Sequence, residues 1–242
     1  MVEHSDENLR NSRFVRVDLS DSRLHGVMLT NVKVTDAWVH DVEISCLLGS
    51  LIVNEVDVSG YVRAELERRH PELQMMRATD VDGLRNAWRM IEVRCDATLA
   101  RARALPESKL HESVDGEWSY VETLRHLVYA TDRWITGPVL DAPEPFQRLG
   151  MPNDNPDPWR GRLDIDADPT LDEALAVRAA RMESVTALLA DSGDADLTRP
   201  VESPNGGTTT VGDCIRVVMG EEWAHDRYAN RDLDALGAPA NG

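Results

Sequence analysis

The sequence predicts two domains of different class: a short repeat solenoid followed by an all-α four-helix bundle. Three observations predict it. Apolar residues recur at every fifth position over about residues 7–48, that period breaks after Val58-Ser59-Gly60, and four long segments of helical periodicity follow from about Asp80. The expected boundaries are 1–58 for the solenoid, 59–79 for a linker helix and its connection, and 80–242 for the bundle.

In the first region Leu9, Phe14, Leu19, Leu24, Leu29, Val34, Val39 and Ile44 stand five apart. Two positions ahead of all but the first lie Ser12, Val17, Ser22, Val27, Val32, Ala37 and Val42, all small or β-branched, with polar residues such as Arg13, Asp18, Arg23 and Lys33 between. Neither the helical nor the strand period generates this register. A stack of short units does, each burying its apolar residue on the next turn. On these residues the stretch resembles the pentapeptide-repeat family, although its wording drifts from the family's preferred Ala-Asp/Asn-Leu after Val34. The resemblance implies a right-handed quadrilateral β-helix of about two coils. So short a solenoid lacks neighbour interfaces, and it is expected to be capped by, or packed on, the second domain, with Trp38 as a packing residue.

Residues 61–69 read as a linker helix stopped by His70-Pro71. The first bundle helix, about 81–105, carries Leu84, Trp88, Ile91, Cys95 and Leu99 on one stripe. The second opens at Ser119 with Glu122 three residues on, a capping-box signature, and runs to about Ile135. The third, about 171–189, follows Pro169-Thr170 and carries Leu171, Leu175, Val185 and Leu188. The fourth, about 211–233, opens after Thr210 and carries Val211, Cys214, Ile215, Val218, Tyr228 and Leu233. Four such helices predict a bundle. The proline-rich connection from Asp141 to Asp168 is long for a compact domain and is expected to fold over the bundle's open end.

Composition narrows the partners. A net charge of −17 over 242 residues argues against a nucleic-acid surface, which needs a basic stripe. Cys46, Cys95 and Cys214 are far apart and odd in number, a reduced pattern in which each reads as a small buried hydrophobe. The polar, acidic N-terminus is no secretory signal, and no apolar run is long enough to span a membrane. A cytoplasmic protein acting on small molecules is expected, with no nucleic acid and no membrane as partner.

Within the fourth helix Glu221 and His225 are four residues apart, which places them on one face with Cβ atoms about 5–6 Å apart. Such a pair reaches one divalent ion if a facing helix supplies a third ligand, and His126 is the candidate. A surface salt bridge and a hydrogen-bonded core histidine are the plain alternatives. Another assignment pairs Glu222 with His225 in the Glu-x-x-His spacing of di-iron bundles. It requires a second such pair, and Glu122 with His126 is one residue too far apart, with Glu122 already needed for capping.

The run Gly116 to Leu127, with Trp118-Ser119 at the cap and His126-Leu127 beyond, resembles the second helix of the DinB-like superfamily. Glu221-Glu222-Trp223-Ala224-His225 resembles its fourth-helix motif, and the likeness extends over about residues 80–235. Most members are described with three histidines. Glu221 stands at the middle one, as in the subgroup typified by mycothiol-dependent maleylpyruvate isomerase. The resemblance implies His126, Glu221 and His225 as metal ligands, with zinc favoured and nickel, iron or manganese compatible with the same donors. It also implies a low-molecular-weight thiol, mycothiol or bacillithiol, used for transfer to an electrophile or for isomerisation. That isomerase has a further C-terminal domain where this chain has an N-terminal module, which argues against maleylpyruvate itself. Arg125 and Arg227 are candidates for orienting an anionic substrate, Asp226 and Tyr228 for supporting the ligands, and Glu222 for a general base in a hydrolytic variant. The reading of another class is a non-catalytic interaction protein in which any metal is structural.

Overall fold

Local signals set where each element begins. The computed structural model describes residues 4, 7–24, 26–44, 49–153 and 161–240; Cys46, part of the long connection and the chain ends lie outside them. β1 (Ile52–Val53) and β2 (Val56–Asp57) form a minimal antiparallel hairpin whose two turn residues, Asn54 and Glu55, have φ of 48° and 68°. Positive φ at both central positions is what a two-residue hairpin turn demands. α1 (Ser59–Arg69) ends where Pro71 starts a 3-10 turn, Pro71–Arg77.

α2 (Val81–Ala102) opens at Asp80, whose side chain accepts from the Gly83 N–H. A single turn, α3 (Glu107–Leu110), leads to α4 (Tyr120–Thr131), where Ser119 and Glu122 form the expected reciprocal capping box. A π-helical turn, Asp132–Thr136, prolongs α4. Thr170 and Glu173 form a second capping box for α5 (Leu171–Asp191), and the one-turn α6 (Asp194–Leu197) follows. A hairpin absent from the sequence reading comes next, β3 (Pro200–Glu202) paired with β4 (Thr208–Thr210). α7 (Val211–Ala235) then opens at Thr210, which accepts from the Asp213 N–H.

α2, α4, α5 and α7 make the bundle, with α2 and α4 each packed on both α5 and α7. The apolar stripes meet in two clusters. One gathers Leu84, Trp88 and Ile91 of α2 with Val185 and Leu189 of α5 and Val211 to Trp223 of α7. The other gathers Ala102, Val121, Leu124, Leu171, Ala174, Ala229 and Leu233. Between them every helix contributes polar residues at one level. The described residues of the connection between α4 and α5 lie against α4, held by Arg125. Gly150 permits the approach, since a Cβ there would stand 3.4 Å from the Cβ of Tyr129 and 3.1 Å from the carbonyl of Gln147.

The N-terminal region differs from expectation. Among the described residues of 7–44 there is no strand and no closed β-helix, and the eight five-spaced apolar residues are between 50% and 75% exposed. Two coils provide too little neighbouring surface to enclose a core. Trp38, expected at a domain junction, is 93% exposed. The period nevertheless persists in the backbone: Asn11, Arg16, Asp21, Gly26, Asn31, Asp36 and Asp41 all have φ between 51° and 65°. Arg23 reaches the bundle, 3.0 Å from the Asp115 carboxylate, across an exposed pair.

Candidate metal centre

The polar level between the two apolar clusters consists of Arg94, Cys95 and Thr98 on α2, Arg125 and His126 on α4, Arg178 on α5, and Glu221, Glu222, His225 and Asp226 on α7. Buried charges are tolerated only when paired, hydrogen-bonded or ligated. The partner of each therefore defines its role.

Glu222 is 1% exposed and receives both Nη atoms of Arg178, at 2.8 and 2.5 Å. Cys95 Sγ lies beside this pair, 3.7 Å from Glu222 and 3.5 Å from Arg178. Burial, helped by the Glu222 charge, pushes the Cys95 thiol up to about 12, so it stays protonated. Asp226 accepts from Arg94 at 3.0 and 2.9 Å and from the Thr98 hydroxyl at 2.5 Å. Glu222 is thus neither a di-iron ligand nor a free general base, and Asp226 supports α2 rather than the ligands. The ion pairs are contacts between distant segments that no local pattern announces.

Among the described residues Glu221 has no arginine partner. Its Oε2 lies 3.5 Å from Nε2 of His126 and 3.3 Å from Nε2 of His225, and the three donor atoms all fall within 4.8 Å of one another. His126 is 3% exposed, and the side chains of His225 and Glu221 are 15% and 20% exposed. Burial alone would raise the Glu221 carboxyl, but the two imidazoles outweigh it and hold the group at about 2. The sequence-predicted trio therefore converges.

The donor set fits a divalent cation. Nδ1 of His126 stands 3.1 Å from the carbonyl oxygen of Met151. A carbonyl only accepts, so in a neutral imidazole Nδ1 keeps the ring proton on this side and Nε2 is left to offer its lone pair to a cation bound beside Glu221 and His225. Two imidazole nitrogens and a carboxylate oxygen directed at one point suit a cation shared among them. Three protein donors also leave coordination positions free for a guest.

Aromatic rings enclose the site. The Trp118 indole lies over His126 at 4.6 Å between centroids and stacks on His225 at 5.8 Å. Tyr228 meets His225 edge-on at 5.8 Å, and Tyr129 flanks His126 at 6.1 Å. The covering role of Trp118 had escaped the sequence reading, in which it figured only as part of the helix-two motif. Arg125 is no substrate anchor: it is buried, and its guanidinium donates to the carbonyls of Leu149, Asp164, Ile165 and Ala167. Arg227 turns away and lies 4.7 Å above the Trp223 ring.

A four-helix bundle with an inward His/Glu trio on its second and fourth long helices defines a class of metal-binding helical proteins. The DinB superfamily profile matches residues 90–229, more than half of the chain, and the protein belongs to that superfamily. No curated protein and no solved structure matches it. No helix among the described residues is long and apolar enough to cross a membrane.

Proposed function

We propose that the bundle holds a divalent ion, zinc in the first instance, on His126, Glu221 and His225, and acts as a thiol-dependent transferase or isomerase on small electrophiles. The convergence of one donor atom from each of the three side chains within 4.8 Å carries this reading. When bound, the ion supplies a Lewis acid that makes a thiol a stronger nucleophile near neutral pH. The chain's own residues do the rest. His126 and His225 present nitrogen donors, Glu221 lowers the net charge of the site, and Trp118 shields it from water. Cys95 does not serve as that thiol, because it is tied to Arg178 and Glu222 with its proton in place, and a small-molecule thiol takes the role. Glutamate at the middle ligand position supports mycothiol or bacillithiol as that thiol. A cytoplasmic location fits either one.

Elemental analysis tests the centre: the wild type should carry about one equivalent of a divalent ion, as expected for one three-ligand site, and His225→Ala should carry none. Equal metal content in the two proteins overturns the reading. A conjugation assay with a model electrophile should need both the thiol and the ion.

A second reading, an interaction protein in which the metal is a staple, is favoured by the exposed apolar ladder of residues 7–44. On this view residues 1–58 are a pentapeptide-like repeat domain, supported by the left-handed residue at every fifth position from Asn11 to Asp41. Residues 59–79 then connect it to a bundle of residues 80–242. Chelation separates the two: lost thiol chemistry with an intact fold supports the enzyme, and a lost fold without any thiol chemistry supports the staple.

A further inference from the structure

We propose that Arg125 is a positioning residue for the metal centre, fixing the tautomer and ring orientation of His126 through the Met151 carbonyl. The inference rests on the reading of His126 as a ligand. Arg125 is 3% exposed, and its hydrogen-bonding partners are backbone carbonyls. Nε donates to Leu149 at 2.9 Å, Nη1 to Ala167 at 2.5 Å, and Nη2 to Asp164 at 2.7 Å and Ile165 at 3.1 Å. These carbonyls belong to both arms of the α4–α5 connection, so one planar fork ties the outgoing and returning strands together.

Met151 follows two residues after Leu149. Its N–H donates to the carbonyl of Arg125 at 3.2 Å, and its own carbonyl faces Nδ1 of His126 at 3.1 Å. Consecutive residues of α4 therefore hold the loop and receive its carbonyl. Elsewhere this arm is tied by the Gln147 N–H to Asp132 at 2.7 Å and by the Asp164 N–H to the Arg148 carbonyl at 2.7 Å. Between those ties the Arg125 guanidinium is the side chain that holds the Leu149 carbonyl, beside the backbone bond from Met151 to Arg125.

The chemical consequence falls on Nε2. A neutral imidazole carries one N–H, and a fixed acceptor at Nδ1 keeps it there, leaving the Nε2 lone pair for a cation. Without the Met151 carbonyl in place, the proton distributes between the two nitrogens and the ring can rotate. Part of the population then presents N–H, rather than a lone pair, to Glu221 and His225.

The test uses full-length wild type, Arg125→Lys and Arg125→Met with nitrogen-15-labelled histidine, followed by NMR in the metal-free and zinc-loaded forms. The wild type is expected to show a resolved, slowly exchanging Nδ1–H resonance for His126. That resonance should broaden in Arg125→Lys, which keeps the charge but not the fork, and vanish in Arg125→Met. The zinc Kd should rise about tenfold in Arg125→Met, the scale expected for an outer partner of a ligand, while a persistent resonance with Kd within about twofold overturns the proposal. If Arg125→Met does not fold, Arg125→Lys decides by the same resonance. Should the wild type bind no zinc while the resonance is still lost in the variants, the metal reading falls and the positioning role of Arg125 stands.

Discussion

Two faces of α7 carry nearly the same sequence and do opposite things. Glu221 with His225 and Glu222 with Asp226 are both i, i+4 pairs, rotated from each other by about 100° around the helix. Both lie in the polar level of the core. The second pair is answered by Arg178 and Arg94, which neutralise it. Among the described residues the first is answered by imidazoles, which can serve as donors to a cation as readily as partners to a carboxylate. Neighbouring glutamates thus become a structural ion pair and a candidate ligand because of what the opposing helices present. The chemistry belongs to the face, and the motif alone does not carry it.

The largest expected effect breaks the structural face. Arg178→Met leaves Glu222 as an uncompensated buried charge and should destabilise the bundle by about 3–5 kcal/mol in denaturant unfolding. Pairing it with Glu222→Leu should recover most of that loss, because replacing a buried ion pair by apolar groups is near neutral. A double variant as unstable as the single one would show that the pair does more than balance its own charge. In the folded double variant the zinc Kd should match wild type, since neither residue faces the trio.

Asp226→Asn is milder. Arg94 keeps Glu72 at 3.1 Å, and the single amide oxygen still accepts from either Thr98 or Arg94, which use different oxygens of Asp226. A loss of about 1–3 kcal/mol is expected, the range for weakening a hydrogen bond to a charged group. A drop in zinc affinity beyond that loss would mean that the two faces are coupled.

How much of this arrangement is legible in the sequence depends on the range of the interaction. Helix starts are local: Ser119 with Glu122 and Thr210 with Asp213 announce themselves within one turn, and α4 and α7 begin there. The pairing of Glu221 with His225 is equally local. His126 lies 95 positions before Glu221; it is a candidate third ligand from the residues alone, but the family resemblance is what selects it, as nothing in the stripe of α4 requires it to point inward. Arg178 with Glu222 and Arg125 with the loop carbonyls are long-range, so an arginine in a mixed pattern reads as surface until its partners are known. The β3–β4 hairpin escaped notice because its strands are three residues each, too short for alternation to register. The N-terminal region is the converse case. Its period is the plainest in the chain, yet periodicity specifies a register, and burial needs neighbouring surface that two coils do not have.

A third i, i+4 pair on α7 supplies the smallest and most discriminating test. Trp223 and Arg227 are rotated by about a further 100°. Trp223 Nε1 donates to Glu72 of the 3-10 turn at 3.2 Å, and the Arg227 guanidinium lies 4.7 Å over the same indole. An arginine two residues from a ligand invites the idea that it orients an anionic substrate. Its ring contact assigns it instead to the junction between α7 and the linker. Arg227→Ala should cost about 0.5–1 kcal/mol, the size of an exposed cation–π contact, and leave both zinc affinity and thiol turnover as in the wild type. A rise in KM for anionic electrophiles alone, with stability unchanged, would move Arg227 from the third face to the first. It would also show that the faces of α7 share work the present geometry keeps apart.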